Sequence, residues 1–237
     1  MDEFLRPSAP WFFVRVCVLF SGGKDSVFAF HWAVLHGFQV DCLITFKPSR
    51  VDSPLFHVPM HVAPLLGGAL GVPVRVVEVG VGEDEEGALV RGLMERAGGV
   101  DGVVTGALLS DFQRVRINAA AEALGLRVYS PLWRKDQASY LRWLVRNGFR
   151  FMIISITTLG IPPRFLGRVL GVGDVEELIS LSNRFGFNPA FEGGEAETLV
   201  VDAPLYSSRL WVRGFPVRLG EFSWSFSIEE ARLEPKV

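Results

Sequence analysis

The run 12–20 (Phe-Phe-Val-Arg-Val-Cys-Val-Leu-Phe) is apolar at both odd and even positions, and Ser21-Gly22-Gly23-Lys24-Asp25-Ser26 follows it at once. A strand that is apolar on both faces must have both faces covered, which is the condition inside a parallel sheet layered with helices. The run is broken by Arg15 and falls short of the ~20 residues a membrane helix needs, so it is not read as a membrane span. What can follow is therefore narrow: a buried strand, a tight Gly-rich turn, and a helix.

The rest of the first half repeats that unit. Runs 40–46, 74–79, 100–106 and 127–130 read as further strands, rich in β-branched residues and bounded by turns. Helical patterns over 24–36, 60–71, 83–97 and 110–124 lie between them. The acidic run 83–86 suits the first turn of a helix, where it complements the dipole. Ser110 with Gln113 three residues on predicts a capping box. Strands alternating with helices predict an α/β fold with a five-stranded parallel sheet. In such sheets ligands sit beyond the carboxyl ends of the strands. After Pro131 the texture changes: a helix over 137–147, a strand over 151–157, Gly160-Ile161-Pro162-Pro163, a helix over 175–185, and strand-like runs 198–201, 208–212 and 222–228. These predict a smaller α+β part, giving an expected division into 1–131 and 132–237.

Composition excludes several classes. Apolar residues make up 49% and charged residues 21% of the 237, which fits a globular chain and not a disordered one. The formal charge of −2 supplies no bulk attraction to nucleic acid, and none is expected as a partner. Asp2 and Glu3 argue against a secretory leader, so a cytoplasmic protein with no membrane partner is expected. Cys17 and Cys42 sit in apolar runs without Cys-x-x-Cys spacing and are expected to be buried and reduced. His31, His36 and His61 lie in helical patterns without metal-ligand spacing, so no zinc is expected.

Where the first strand hands over to the first helix, unpaired amides and the helix dipole favour an anion. Gly22 and Gly23 let the backbone close on it, and the Ser21 and Ser26 hydroxyls are available to donate hydrogen bonds. The six residues are not a Walker loop. They resemble the PP-loop, Ser-Gly-Gly-x-Asp-Ser, of the N-type ATP pyrophosphatases. That resemblance implies an adenine-nucleotide alpha-hydrolase fold in which Ser21, Gly22, Gly23, Lys24, Asp25 and Ser26 bind ATP. A substrate oxygen then attacks the α-phosphate and pyrophosphate leaves. Asp25 orients the loop or binds Mg2+ together with the phosphates, and Lys24 occupies the variable position.

Three further stretches narrow the family: Asp52-Ser53-Pro54-Leu55-Phe56-His57; then Gly106 through Arg116; then Glu192-Gly193-Gly194-Glu195-Ala196-Glu197-Thr198. In this order they resemble the diphthine–ammonia ligase family, and the match takes in Pro131-Leu132-Trp133 and Gly167-Arg168. The resemblance implies adenylation of the diphthine carboxylate on translation elongation factor 2, followed by attack of free ammonia. His57, Ser110, Gln113, Arg114, Arg116, Glu192, Gly193, Gly194, Glu195 and Thr198 are the substrate-binding residues it suggests. Ammonium must lose a proton before it attacks, and Glu195 or Glu197 is the candidate to accept that proton or to bind the cation. The arginines suit bidentate contact with carboxylate or phosphate oxygens, and Trp133 is the first aromatic to try for the trimethylammonium group. Phe191 stands where the family usually has Gly, and Ala196 where it usually has an aromatic. Two rival readings stay open: a tRNA-modifying PP-loop enzyme, and a sensor that binds ATP or AMP without turnover.

Overall fold

The computed structural model describes residues 13–47, 61–80, 83 and 85–236. The stretch 52–57 with His57, and the start of the run at Phe12, lie outside the described residues. The first sheet is parallel and has the order β3-β2-β1-β4-β5. Its strands are β1 (Arg15–Leu19), β2 (Gln39–Lys47), β3 (Val74–Glu78), β4 (Gly102–Val104) and β5 (Arg127–Tyr129). The five strands match the five expected from the apolar runs. Between them lie α1 (Lys24–Leu35), α2 (Ala63–Leu70), α3 (Glu85–Arg96) and α4 (Asp111–Ala123).

The unbroken apolar character of β1 now has its cause. Val16, Val18 and Phe20 alternate into a core they share with α1 and α2, while Cys17 and Leu19 face the opposite core with residues of α3 and α4. Strand order reverses at β1: β2 and β3 lie to one side, β4 and β5 to the other. The crevice at this switch point is where open α/β sheets bind ligands.

The two cysteines correct an expectation. Both are fully buried, as expected, but a disulfide joins them. Cys17 and Cys42 pair directly across the β1–β2 ladder, with Cα atoms 4.7 Å apart. Spacing along the chain carries no information on strand register, so the sequence could not bring them together.

The second sheet is antiparallel in order β7-β6-β9-β8, built from β6 (Arg150–Ile156), β7 (Ala196–Asp202), β8 (Ser208–Arg218) and β9 (Trp224–Pro235). Helices α5 (Gln137–Arg146) and α6 (Val172–Phe185) precede β6 and β7. The β8–β9 hairpin is far longer than the expected runs 208–212 and 222–228. Its extra length is held by charge as well as apolar contact: Arg209 pairs with Glu234, Arg213 with Glu230, and Arg232 lies over Trp211. A search for β-branched and apolar runs passes over such a ladder.

Helix α1 contacts strands of both sheets, β1, β2 and β4 on one side and β7 on the other. Phe28 meets Tyr140, Trp143 and Phe149. His31 completes the seam. Its Nδ1–H donates to Val27 O at 2.8 Å, and its Nε2 accepts from Leu205 N–H at 3.0 Å. That arrangement needs one neutral tautomer. Burial pushes the His31 pKa down to about 4, opposed by the Val27 bond and aided by Lys236.

Between pH 6.5 and 4 the unfolded chain gains a proton at His31 that the folded chain refuses, so stability is full above 6.5 and falls as pH drops toward 4. The loss expected from this group is on the order of 3 kcal/mol. Urea unfolding of wild type and His31→Gln across this window tests it: the variant should show the shallower slope, and equal slopes would rule the assignment out.

Candidate active site

The phosphate-type loop is shaped by two glycines for different reasons. Gly22 has φ +71°, a conformation that side chains disfavour. Gly23 is extended, but a Cβ there would stand 3.1 Å from Thr198 O and 3.2 Å from Thr198 Oγ1. The serine hydroxyls turn inward. Ser26 Oγ donates to Gly23 O at 3.1 Å and accepts from Ser21 N at 3.2 Å, while Ser21 Oγ accepts from Gly23 N at 3.4 Å. In this structure they hold the loop's shape. The amides of Asp25 and Ser26 open α1 and have no intrahelical partner.

Strand β7 lies along this loop. Val200 N–H donates to Gly22 O at 2.9 Å, and the Lys24 amide donates to Thr198 Oγ1 at 3.2 Å. On the other flank Gly106, just past β4, is pressed against α1: a Cβ would fall 2.5 Å from Asp25 C and 2.8 Å from Ser26 N. Three segments far apart in sequence therefore converge on one helix start.

The loop between α6 and β7 closes the site. Glu192 Oε2 accepts from the amides of Leu108 and Leu109, at 3.3 and 3.0 Å, which ties this loop to the segment after β4. Glu195 has a different task. Its carboxylate accepts from Asn188 N, Asn188 Nδ2 and Gly193 N at 2.7–2.9 Å, so it is engaged within its own loop. Glu197 is exposed, and strand alternation turns it to the face opposite Thr198. Gly193 has no room for a Cβ beside Glu195, and Gly194 has φ +80°.

Phe191 also takes a left-handed backbone, φ +67°, at a cost of about 1–2 kcal/mol for a residue with a side chain. Its ring is buried, stacks near Phe187, and lies 5.3 Å from Lys24 Nζ. Lys24 is 2% exposed, and its ammonium donates to Asp25 Oδ2 at 2.8 Å and Ala190 O at 2.5 Å.

Ser110 caps α4, its Oγ accepting from Gln113 N at 3.3 Å, but the returning bond from the Gln113 side chain that would complete the expected box is not formed. Arg114 lies over the Trp133 ring at 4.6 Å with Arg134 at 5.8 Å, and Arg116 over Phe112 at 3.3 Å. Among the described residues neither Arg114 nor Arg116 pairs with a carboxylate. Trp133, the aromatic expected to hold a trimethylammonium group, already carries a guanidinium on its ring.

Asp25, Glu192, Lys24 and Tyr140 form one charged cluster. Tyr140 O–H donates to Lys24 O at 3.4 Å, and burial, then the Asp25 and Glu192 carboxylates, push its pKa up. Burial and the Asp25 carboxylate also raise the Glu192 pKa, with Lys24 opposing. Asp25 Oδ1 is buried and has no donor in full hydrogen-bond geometry among the described residues, although the Tyr140 hydroxyl also lies close to the Asp25 carboxylate. An orphaned carboxylate oxygen beside a phosphate-type loop fits a hard cation such as Mg2+. No group of three or more His, Cys, Asp or Glu side chains able to hold a metal exists among the described residues, so phosphate oxygens would have to supply other ligands.

The sequence did not point to Tyr140, Gln137 or Ala190. Gln137 accepts from Ala190 N at 3.0 Å and donates to Asn188 Oδ1 at 3.2 Å. These contacts span about fifty residues, and no local pattern announces them.

The family model for the diphthamide synthase N-terminal domain matches residues 14–128, and that for the diphthamide synthase C-terminal domain matches 136–232. The diphthine–ammonia ligase of Rattus norvegicus is 32% identical over 223 residues, covering 84% of this chain and 83% of the relative. That of Danio rerio is 33% identical, covering 83% of this chain and 86% of the relative. That of Schizosaccharomyces pombe is 31% identical over 83% of this chain, which spans 36% of that relative's length.

Gly106→Ala places a methyl group on α1 backbone that cannot move aside without opening the loop. The expected outcome is a stability loss of about 1–3 kcal/mol, read by thermal unfolding. Wild-type stability in the variant would rule out this close approach.

Proposed function

The chain belongs to the diphthamide synthase family, and from that premise we propose that it is a diphthine–ammonia ligase acting on translation elongation factor 2 with ATP and ammonia. In the first half-reaction an oxygen of the diphthine carboxylate bonds to the α-phosphorus of ATP. The bond from that phosphorus to the bridging oxygen breaks, pyrophosphate leaves, and an acyl-adenylate remains. In the second, ammonia bonds to the acyl carbon and AMP leaves with the oxygen.

The single observation that carries this reading is the convergence at the start of α1. The Gly22–Gly23 turn, the segment after β4 and the Glu192–Thr198 stretch meet there, bound through Glu192 to Leu108 and Leu109 and through Thr198 to Lys24. Each segment supplies one need. Amides of the first turn of α1 stabilise phosphate charge. Asp25, with its orphaned oxygen, would hold Mg2+, which when bound neutralises charge on the phosphates. The capped start of α4, with Arg114 and Arg116 near it, receives the substrate carboxylate.

Glu192 takes the role first sought in Glu195 or Glu197. Glu195 accepts three bonds within its own loop, whereas Glu192 is held through one oxygen by the Leu108 and Leu109 amides and has its pKa raised by burial and the Asp25 carboxylate. A carboxylate that holds a proton more tightly is the better acceptor from ammonium. A sensor that binds nucleotide without turnover would show the same loop, so product formation decides between them.

Incubation with ATP, Mg2+ and diphthine-bearing elongation factor 2 should release AMP and pyrophosphate, with amide formed only when ammonium is present. The mass change of OH becoming NH2 on the factor is the confirming readout. AMP release indifferent to the factor would remove the substrate assignment, and no AMP under any condition would favour the sensor. Glu192→Gln should lower ammonia-dependent turnover by about 100-fold while adenylate formation persists. Full turnover in that variant would end the role given to Glu192.

A further inference from the structure

We propose that Lys24 is a positioning residue: it latches the loop 187–195 onto the first turn of α1 and acts through Glu192, rather than gripping a phosphate. The inference deepens the ATP-site reading above and rests on it for its kinetic test.

Lys24 sits inside the motif, where a cation beside a phosphate loop invites the role of phosphate ligand. The geometry gives the ammonium other work. It is buried, donates to Ala190 O and Asp25 Oδ2, and faces the Phe191 ring. A buried ammonium needs acceptors and a counter-charge nearby, and the protein supplies oxygen acceptors for two of its three donors, the Asp25 charge, and the face of the Phe191 ring. Turning it toward a phosphate would break the Ala190 bond and strip the cation from Phe191.

The same loop is held from its other side by Gln137, through Ala190 N and Asn188 Oδ1. Ala190 is therefore clamped at both backbone groups, its amide by α5 and its carbonyl by α1. Glu192 lies two residues on, and its carboxylate reaches the Leu108 and Leu109 amides from that fixed point. Phe191 bridges the two in a backbone conformation that ordinary residues avoid, so the loop has a reason to leave this position once the latch is cut.

Two measurements test the latch. Lys24→Met should lower kcat at least about tenfold with KM for ATP within about twofold, the pattern of a lost arrangement rather than a lost ground-state contact. A rise in KM for ATP with kcat preserved would overturn the proposal in favour of a phosphate ligand, and unchanged values of both would overturn it outright. Because that variant risks failing to fold, the wild-type chain is also labelled with an amine-reactive acylating agent, with and without ATP, and its four lysines are read by peptide mass. Lys24 should stay unlabelled in both conditions. Labelling of Lys24 without ATP and protection by ATP would overturn the latch. A wild-type chain that forms no AMP would defeat the functional reading, while the labelling without ATP still decides whether the ammonium is enclosed.

Discussion

Two hydrogen bonds between β7 and the loop after β1 make one site out of two sheets. Val200 N–H to Gly22 O continues the antiparallel sheet onto the phosphate loop, and Thr198 Oγ1 takes the Lys24 amide. β7 is otherwise the outer strand of its sheet, with one row of backbone groups lacking a strand partner. Placing the loop there satisfies part of that row and fixes the height of the loop relative to Glu192. Gly23 is the residue that permits it, since a Cβ would press on Thr198 from 3.1 Å.

With the loop clipped to β7, the charges around it are forced together. Asp25 and Glu192 are like charges in a partly enclosed space, and the Asp25 carboxylate, after burial, raises the cost of ionising Glu192. Lys24 stands against Asp25 and offsets that repulsion. Tyr140 adds a neutral donor on the Lys24 carbonyl and stays protonated in this surrounding. The cluster is thus balanced by one cation from the motif's variable position. The contacts of Lys24 are thus accounted for by its neighbours within the protein.

How much of this was legible follows from the range of each interaction. The parallel sheet was readable because β1 shows its two-sided burial in its own residues, and the Ser110 cap because it binds an amide three positions away. The long hairpin was underread because Arg209, Arg213, Glu230 and Glu234 look like solvated charges until they are set opposite one another. The disulfide was missed for the same reason: Cys17 meets Cys42 only once register is known. Within the site, the carboxylates of the Glu192–Thr198 stretch were recognised as a group but not sorted. Their separate tasks depend on what each reaches, Leu108 and Leu109 for Glu192, Asn188 and Gly193 for Glu195.

Phe191 stands in a backbone conformation that suits glycine. Its φ of +67° is the conformation in which glycine costs least, which accounts for a preference for glycine at such a place. Phenylalanine bears the steric penalty there and gains burial of its ring, contact with Phe187 and a facing cation in Lys24. Of these partners Phe187 belongs to the same loop, while the cation comes from α1. The side chain at this position therefore sets the steric penalty of the turn against its contact with α1, and ties the residue next to Glu192 to the ammonium of Lys24.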